Sequence, residues 1–166
     1  MDLELVHWTD PILREKLPRY KFDGSSNPVE LYNALGNKLI ALGGLGLAAN
    51  QVGWRHRFFV LYTNPIQAFF NPSIVDVSEA TIKLEEGCLS IPNLIGKVSR
   101  PSIIKLRYAD PTGKVQTTKF EGMTARAIQH EVDHLDGKLF TQHLSHLELS
   151  LAIKRSKKGY IIGDVR

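Results

Sequence analysis

Cysteine is almost absent from this chain, because Cys88 is the only one among 166 residues. A single thiol cannot form an internal disulfide, so a disulfide-stapled secreted scaffold is excluded and a reducing compartment is the simpler expectation. No uninterrupted apolar stretch is long enough to span a bilayer. The first residues, MDLELVHWTDPIL, also lack the apolar core of a signal peptide. We therefore expect a cytoplasmic protein, or one in an organelle stroma or matrix whose transit peptide has been removed.

Neither sign of charge is in large excess, since 21 Lys and Arg stand against 17 Asp and Glu and leave a net charge of +4. Hydrophobic residues make up 43% and charged residues 23%, which is ordinary for a soluble globular protein and argues against intrinsic disorder. The length fits one catalytic domain over residues 1–166. Part of the positive charge lies in the run KRSKK at 154–158, which is typical of a solvated helix end or else of a patch for an anionic partner.

The spacing of apolar residues predicts helices towards both ends of the chain and short strands between them. Pro28 opens a helical pattern with Asn27 as its N-cap. Runs typical of strands follow at 57–62, 68–70, 74–77, 81–85 and 103–108. The turn signal DPTG at 110–113 predicts a hairpin between the last of these runs and residues 115–120. Residues 123–136 have the pattern of a second helix, and a polar-faced third helix covers about residues 144–158. This order predicts an α+β fold with mostly antiparallel strand pairing.

The sequence HEVDH, carried by this second helix, is the strongest chemical signal in the chain. On a helix, positions i and i+4 share one face, so His130 and His134 can bind one divalent ion. Glu131 follows the first of them and can act, without binding the ion, as general base toward a metal-bound water. The alternative interpretation is a pair of buried or surface histidines without a metal.

A catalytic metal site usually has three protein ligands and one open position, so a third ligand must lie elsewhere. The position that carries the last histidine of metzincin proteases holds Phe140. A downstream glutamate, as in gluzincin proteases, is available only as Glu148, in a polar helical segment. His143 and His146 are expected to be solvated. Cys88 lies beside a glycine after a predicted strand and offers a thiolate, so we predict it as the third ligand.

Three segments in this order resemble the signature motifs of the peptide deformylase family. They are GLGLAANQ at 44–51, EGCLS at 86–90 and QHEVDH at 129–134. The resemblance covers roughly residues 6–145 and leaves the tail from about residue 147 uncovered. It implies an α+β fold, in which mostly antiparallel strands pack around the central helix that carries HEVDH. The implied activity is that of a hydrolase that removes the formyl group from N-formylmethionine at the start of newly made polypeptides and releases formate. It also implies one divalent metal, expected to be Fe(II), which Zn(II), Ni(II) or Co(II) can replace.

The resemblance also implies roles for individual residues. The metal ligands are Cys88, His130 and His134. A metal-bound water is the nucleophile, and Glu131 is the general acid and base. The oxyanion receives hydrogen bonds from the side-chain amide of Gln51 and the backbone N–H of Leu89. The peptide lies extended as an added strand, and its expected contacts are Gly44, Leu45, Gly46, Gly87, Met123 and Ala127.

Several side chains near these motifs have more than one interpretation. A tight wall of bulky residues behind the metal, such as Leu89 and Leu84, would exclude acetyl groups and internal peptide bonds. Arg126 either points outward or steers the peptide. Metal-bound histidines usually donate their other N–H to a carboxylate or carbonyl. The candidate partners are Glu86 and Asp133, with Arg100 as an ion-pair partner of either.

Three other functions remain open at this point. A metallopeptidase that cleaves internal bonds would need Glu148 as a ligand. A relative that binds peptide N-termini without turnover is disfavoured because Glu131 is present. A nucleic-acid module fits the positive charge, but the chain has no aromatic and basic recognition motif. We expect N-formylmethionyl nascent peptides and a transient ribosome contact through residues 154–158 as partners, and neither a membrane nor a sequence-specific nucleic acid.

Overall fold

In the described part of the chain, residues 2–166, seven strands form two antiparallel sheets that enclose a helix. This architecture comes from a computed structural model. The strands are β1 (Gly46–Ala48), β2 (Phe58–Leu61), β3 (Gln67–Val77), β4 (Thr81–Cys88), β5 (Ile91–Pro101), β6 (Ile103–Ala109) and β7 (Val115–Glu121). The helices are α1 (Pro28–Leu42), α2 (Gly122–Leu135), α3 (His146–Ser156) and α4 (Ile162–Val165). Short 3-10 turns span Pro11–Arg14, Ala49–Val52 and Phe140–His143.

The larger sheet is covered by a helix on each face. Its strand order is β1-β2-β3-β6-β7, while β4 and β5 form a separate hairpin sheet. Side chains alternate along β2, so Phe58 stacks on Phe70 in the cluster under α1, and Phe59 stacks on Phe69 in the cluster under α2. Each pairing between these strands is antiparallel. The predicted α+β class, with antiparallel strands around the HEVDH helix, is confirmed.

Helix α2 is fixed in place by its apolar face and by its C-terminus. Its residues Ala125, Ile128, Val132 and Leu135 recur at helical spacing and pack into the cluster of Phe59 and Phe69. The carbonyl of Leu135 accepts hydrogen bonds from Arg57 Nη1 at 3.0 Å and from the backbone N–H of Leu17 at 2.8 Å. These donors satisfy a carbonyl that a helix end leaves unpaired. The helix that carries both histidines therefore has a well-defined position against the sheet.

Local sequence signals place the ends of the main elements correctly. Asn27 caps α1, because its Oδ1 accepts from the backbone N–H of Val29 at 3.0 Å, and Gly43 ends the helix with a φ of 70°. The turn at 110–113 joins β6 and β7 as the predicted hairpin. Helices α2 and α3 lie within two residues of their predicted bounds.

Strands β1 and β5 were not among the predicted elements. Strand β1 has only three residues, and β5 contains Pro92, Asn93 and Gly96, all of which are rare inside strands. Strand β3 is continuous where the sequence predicts two short runs, and its pairing with β6 shifts register between Phe70 and Ser73. Strands β1 and β3 pair with β2 and β6, whose positions a local pattern does not reveal. Strand β5 pairs with its chain neighbour β4, so its residue composition is what hid it.

The tail folds back onto the hairpin sheet. Leu149, Tyr160 and Val165 are buried in one cluster with Ile91 of β5, and the hydroxyl of Tyr160 donates to the carbonyl of Pro92 at 2.6 Å. The basic run at 154–158 ends α3, and its charged residues are exposed, as a solvated helix end would be. None of the helices within residues 2–166 has the length and apolar composition needed to cross a bilayer.

Candidate active site and metal centre

Helix α2 and the end of β4 bring the cysteine and two histidines together. His130 and His134 lie one helical turn apart, with ring centroids separated by 5.0 Å. Cys88 ends β4, and its Sγ lies 3.3 Å from Nε2 of His134. One ligand atom from each of the three residues lies within 4.8 Å of the other two. Since metal–ligand distances are about 2.0–2.3 Å, one ion can reach all three donors.

The charges of this cluster fit a divalent cation. Burial opposes ionisation of the thiol, but His134 and His130 hold the pKa of Cys88 well below its usual range. Burial alone would lower the pKa of His130, whereas hydrogen bonds to Cys88 and Glu86 raise it to about 10. The cluster therefore holds a thiolate on Cys88 and a proton on His130. A divalent metal displaces this proton when it binds. One thiolate and two imidazoles suit Fe(II), Zn(II), Co(II) or Ni(II).

Glu131 lies beside the three ligands without joining them. Its side chain is buried, and its Oε2 has no hydrogen-bond partner among residues 2–166. Burial raises the pKa of Glu131, although His130 and His134 act in the opposite direction. The carboxylate has room because β1 carries a glycine at this point: a Cβ on Gly46 would lie 2.7 Å from Oε1 of Glu131. A buried carboxyl group with a raised pKa and a free oxygen can accept and return a proton.

The side-chain amide of Gln51 is held with its NH2 group toward Cys88. Its Oε1 accepts from the backbone N–H of Ala48 at 2.9 Å, and its Nε2 donates to Oγ of Ser90 at 2.9 Å. The same Nε2 lies 3.6 Å from Sγ of Cys88. Because both ends of the amide have partners, its donor end is fixed beside the candidate metal site. The sequence assigned no role to Ser90, which acts here as the support for Gln51.

The predicted wall behind the metal is only partly present. Leu89 lines the cavity, and its side chain packs against Leu39 and Gly44, where a Cβ would lie 2.6 Å from Cδ1 of Leu89. Leu84 is 41% exposed and lies outside the cavity lining, so its prediction as a wall residue is wrong. The reason is its position in the outer part of β4, where residues 81–85 are exposed on both faces of the two-stranded sheet.

Glu86 is the centre of a buried ion cluster that supports the first histidine. Its carboxylate accepts a hydrogen bond from Nδ1 of His130 at 2.9 Å, which leaves Nε2 of that ring for a metal. It also accepts two bonds from Arg100, at 2.6 and 2.8 Å, and one from Arg126 at 2.6 Å. Burial alone would raise the pKa of Glu86, but Arg100 and His130 hold it far below its usual range. Arg126 therefore does not point outward, since Glu86 and the carbonyl of Val98 bind it inside the protein, where it lines the cavity.

Asp133 supports this cluster but contacts neither metal-site histidine through its carboxylate. Its Oδ2 accepts from Nη1 of Arg100 at 3.0 Å and pairs with Nε2 of His143 at 2.8 Å. His143 is exposed, as predicted, and its ring also pairs with the ion cluster. Nδ1 of His134 is buried without a partner among residues 2–166. The two histidines are consequently held by different means.

A cavity of about 480 Å³ opens over the candidate metal site. Its lining includes eleven of the twelve predicted site residues, namely Gly44, Leu45, Gly46, Gln51, Gly87, Cys88, Leu89, Met123, Ala127, His130 and Glu131. His134 is the twelfth and is buried beneath them. Sequence reasoning missed the residues that follow Ser90, which are Ile91, Pro92, Asn93, Leu94 and Ile95. Only a prediction of β5 would have pointed to them.

Neither of the other two positions considered from the sequence supplies a metal ligand. Glu148 is exposed on α3, where its carboxylate accepts from the backbone N–H of Ser145 and forms an ion pair with Lys83 at 3.3 Å. Phe140 stacks on the ring of His130, with ring centroids 6.1 Å apart, and has no ligand atom. A metallopeptidase site completed by Glu148 is therefore contradicted. The fold and the site together define an HExxH-type hydrolase, whose two histidines and one cysteine could hold a metal ion.

Comparison with known proteins identifies the family. A family model described as polypeptide deformylase matches residues 2–150. A peptide deformylase from Mesorhizobium japonicum is 38% identical over 168 residues, which covers 93% of this chain and 90% of the relative. The crystal structure of a peptide deformylase from Synechococcus elongatus in complex with actinonin has a TM-score of 0.91 at 33% identity, and the match covers 99% of this chain and 91% of that one. A probable peptide deformylase from Synechococcus phage S-SSM7 has a TM-score of 0.81 at 36% identity, over 86% and 100% of the two chains.

The chain belongs to the peptide deformylase family. It is a metal-dependent hydrolase that removes the formyl group from the N-terminus of newly made polypeptides. The predicted resemblance, covering roughly residues 6–145, is confirmed and extends further, because the match to the Synechococcus elongatus structure includes the tail.

Proposed function

We propose that Glu131 moves the proton in the deformylation reaction, beside a divalent metal held by Cys88, His130 and His134. The observation that carries this proposal is the position of Glu131, buried next to the three ligands with a raised pKa and an unpartnered Oε2. When bound, the metal supplies a Lewis acid that lowers the pKa of a water and polarises a carbonyl oxygen. The carboxylate of Glu131 accepts a proton from the water that attacks the formyl carbon. It then donates this proton to the amine nitrogen as the C–N bond breaks, which yields formate and a free N-terminus.

Two donors of this chain are positioned to stabilise the negative oxygen that forms during the attack. We assign them as Nε2 of Gln51 and the backbone N–H of Leu89. Removal of one such donor typically costs about 100-fold or more in kcat. We expect Gln51→Met to lower kcat by that order, whereas the control Gln67→Met, on β3 and outside the cavity lining, leaves kcat unchanged. A Gln51→Met variant with more than about a third of the original kcat would exclude this role.

The peptide is proposed to lie extended along the free edge of β1, with the methionine side chain in the cavity. Leu45 and Met123 are exposed apolar residues on opposite elements of the cavity lining, and Gly44, Gly46, Gly87 and Ala127 leave room for a close backbone. Steady-state formate release from N-formyl-Met peptides, compared with hydrolysis of N-acetyl-Met peptides, tests the substrate. We expect only the formyl peptide to be turned over. Comparable hydrolysis of the acetyl peptide would contradict a site that has no room for a methyl group on the carbonyl carbon.

We propose Fe(II) as the working metal, with Zn(II), Ni(II) and Co(II) as functional substitutes. The thiolate of Cys88 and two imidazoles support any of these ions, so the proposal is tested by measurement of the metal rather than by geometry. Protein purified without oxygen should carry about one metal per chain, and elemental analysis identifies it. We expect the rate of deformylation to rise in proportion to bound metal and to reach its maximum at one equivalent per chain. Full activity of metal-free protein would exclude the proposal.

The basic run at 154–158 is proposed to contact the ribosome transiently. It supports an anionic partner because Lys154, Arg155, Lys157 and Lys158 are exposed at the end of α3. Truncation is a poor test, since Tyr160 and Val165 beyond the run are part of the buried core. Replacement of the four charged residues by glutamine should instead abolish co-sedimentation with ribosomes at low salt and leave deformylation of short peptides intact. Unchanged co-sedimentation would exclude this contact.

We also propose that residues 1–166 form one catalytic domain in the cytoplasm or in an organelle that makes formylated polypeptides. The packing of Tyr160 and Val165 against Ile91 supports the single domain, because the tail and the cavity wall share a hydrophobic cluster. A single cooperative unfolding transition, seen alike by far-UV circular dichroism and by tryptophan fluorescence, is expected. Fluorescence of a tagged protein in its native host tests the compartment.

A further inference from the structure

A buried asparagine joins two parts of the active site that are far apart in the sequence. Asn50 is fully buried in the 3-10 turn Ala49–Val52, directly before Gln51. Its Nδ2 donates to the carbonyl oxygen of His134 at 2.6 Å and lies 3.5 Å from the carbonyl oxygen of Ile12. This side chain thus stands where the N-terminal turn Pro11–Arg14, the turn of Gln51 and the end of α2 meet.

The two metal-site histidines differ in how their rings are oriented. Nδ1 of His130 donates to Glu86, so a side chain fixes that ring directly. Nδ1 of His134 is buried without a partner among residues 2–166, so only its contact with Cys88 at Nε2 and its backbone orient this ring. The carbonyl of His134 accepts from the backbone N–H of Gly137 at 3.1 Å, a bond within the helix end. Asn50 supplies the only side-chain donor to this carbonyl in the described chain, and the bond comes from outside the helix.

The same bond connects His134 to the proposed oxyanion donor. Asn50 and Gln51 are consecutive, and the Gln51 amide is already fixed at its far end by Ala48 and Ser90. Movement of the Asn50 backbone relative to α2 would therefore move Nε2 of Gln51 relative to the metal ligands. Catalytic groups must be held to within about 0.5 Å of their productive positions, so one hydrogen bond at this junction affects two of them together.

We propose that Asn50 is a positioning residue for deformylation, which holds His134 and Gln51 at a fixed separation through its bond to the His134 carbonyl. The proposal rests on the roles assigned above to these two residues. Asn50 lies outside the cavity lining and so does not contact the substrate. Its buried Oδ1 has no partner among residues 2–166, so the donor NH2 group is the part of the amide that contributes to this arrangement.

Asn50→Leu and Asn50→Ala test the proposal, with Asn71→Ala as the matched control. Leucine is similar to asparagine in shape and volume and cannot donate, so the comparison does not depend on the cavity that alanine leaves. Asn71 is also a buried asparagine that bridges backbone groups, since it accepts from the N–H of Tyr20 at 2.7 Å and donates to its carbonyl at 3.0 Å. It is remote from the cavity lining. Each variant is loaded with one equivalent of Co(II) and assayed well below its unfolding midpoint.

We expect both Asn50 variants to lose on the order of 10-fold in kcat with KM changed less than about twofold. Their Co(II) absorption bands should shift, because the His134 ring no longer has the same orientation, whereas Asn71→Ala should lose stability with kcat and spectrum unchanged. Wild-type kcat in the Asn50 variants would overturn the proposal and leave Asn50 an ordinary core residue. A wrong role for Gln51 would be recognised separately. In that case Gln51→Met would retain kcat, while the Asn50 variants would still shift the Co(II) absorption bands.

Discussion

Gly46→Ala is expected to disable the active site by moving the carboxylate of Glu131, which lies on helix α2. The added Cβ would lie 2.7, 2.9 and 3.0 Å from Oε1, Cγ and Cδ of Glu131. Ordinary contacts begin at 3.4 Å, so the end of this side chain must shift by about 0.4–0.7 Å. Rotation of the terminal oxygens alone cannot relieve the clash, because Cγ is also too close. A displacement near 1 Å can cost about 100-fold, and we expect kcat to fall roughly 10-fold to 100-fold.

The assay is a double-mutant cycle on metal-loaded protein, with formate release as the measured rate. Gly46→Ala, Glu131→Ala and the combined variant are compared at equal metal content. If Gly46→Ala acts through Glu131, it should cause no further loss once Glu131 has been truncated. Gly163→Ala in α4 is the control, since its Cβ would meet nothing within 4 Å. An equal loss of rate in the presence and absence of the Glu131 carboxylate would refute the reasoning.

Three further predictions concern the groups around the metal ligands. Gly44→Ala should cost about 1–3 kcal/mol of stability and about 10-fold or less in kcat, because its Cβ would lie 2.6 Å from Cδ1 of Leu89, a movable atom; urea unfolding and formate release measure the two effects. Glu86→Gln should destabilise the protein by about 3–5 kcal/mol, because it leaves buried Arg126 without its anion and Arg100 with Asp133 alone, and should weaken metal binding about 10-fold to 100-fold; an unfolding free energy within 1 kcal/mol of the original would contradict this. The pKa of Glu86 is lowered by folding, so its contribution to stability is complete above the usual Glu pKa of about 4.3 and is lost as the pH falls below it. The unfolding midpoint should therefore decrease as the pH is lowered below about 5, and this decrease should be less steep in Glu86→Gln.

The parts of the fold predicted correctly are those whose signals are local. Asn27 and Gly43 bound α1 through side-chain capping and left-handed backbone geometry, which the residue types alone indicate. The HEVDH helix follows from the same kind of reasoning. Strand β5 was missed because Pro92 and Gly96 are unfavourable in strands, and its stability comes from pairing with β4 and from the tail. The contact with the tail is long-range and leaves no periodic pattern in the sequence.

The candidate site also has parts that local signals predict and parts that depend on long-range contacts. The motifs contain Cys88, His130 and Glu131, so the ligands and the proton carrier could be named from the sequence. Which carboxylate supports His130 could not be decided, because Glu86 and Asp133 both lie close to the motifs in sequence. The structure distinguishes them: the Glu86 carboxylate contacts Nδ1 of His130, whereas that of Asp133 contacts Arg100 and His143. The junction at Asn50 depends on a side chain meeting a backbone carbonyl 84 residues away, and no local signal predicts it.

The most direct test of the account is formate release by Glu131→Gln under matched metal loading. Wild type and variant are purified without oxygen, loaded with one equivalent of Fe(II) and given a short N-formyl-Met peptide. Because glutamine cannot accept the proton, we expect the variant to bind the metal and the peptide normally while kcat falls by roughly 100-fold to 10,000-fold. A variant that holds the metal and retains kcat within about threefold of wild type would contradict the assignment of Glu131 as the proton carrier.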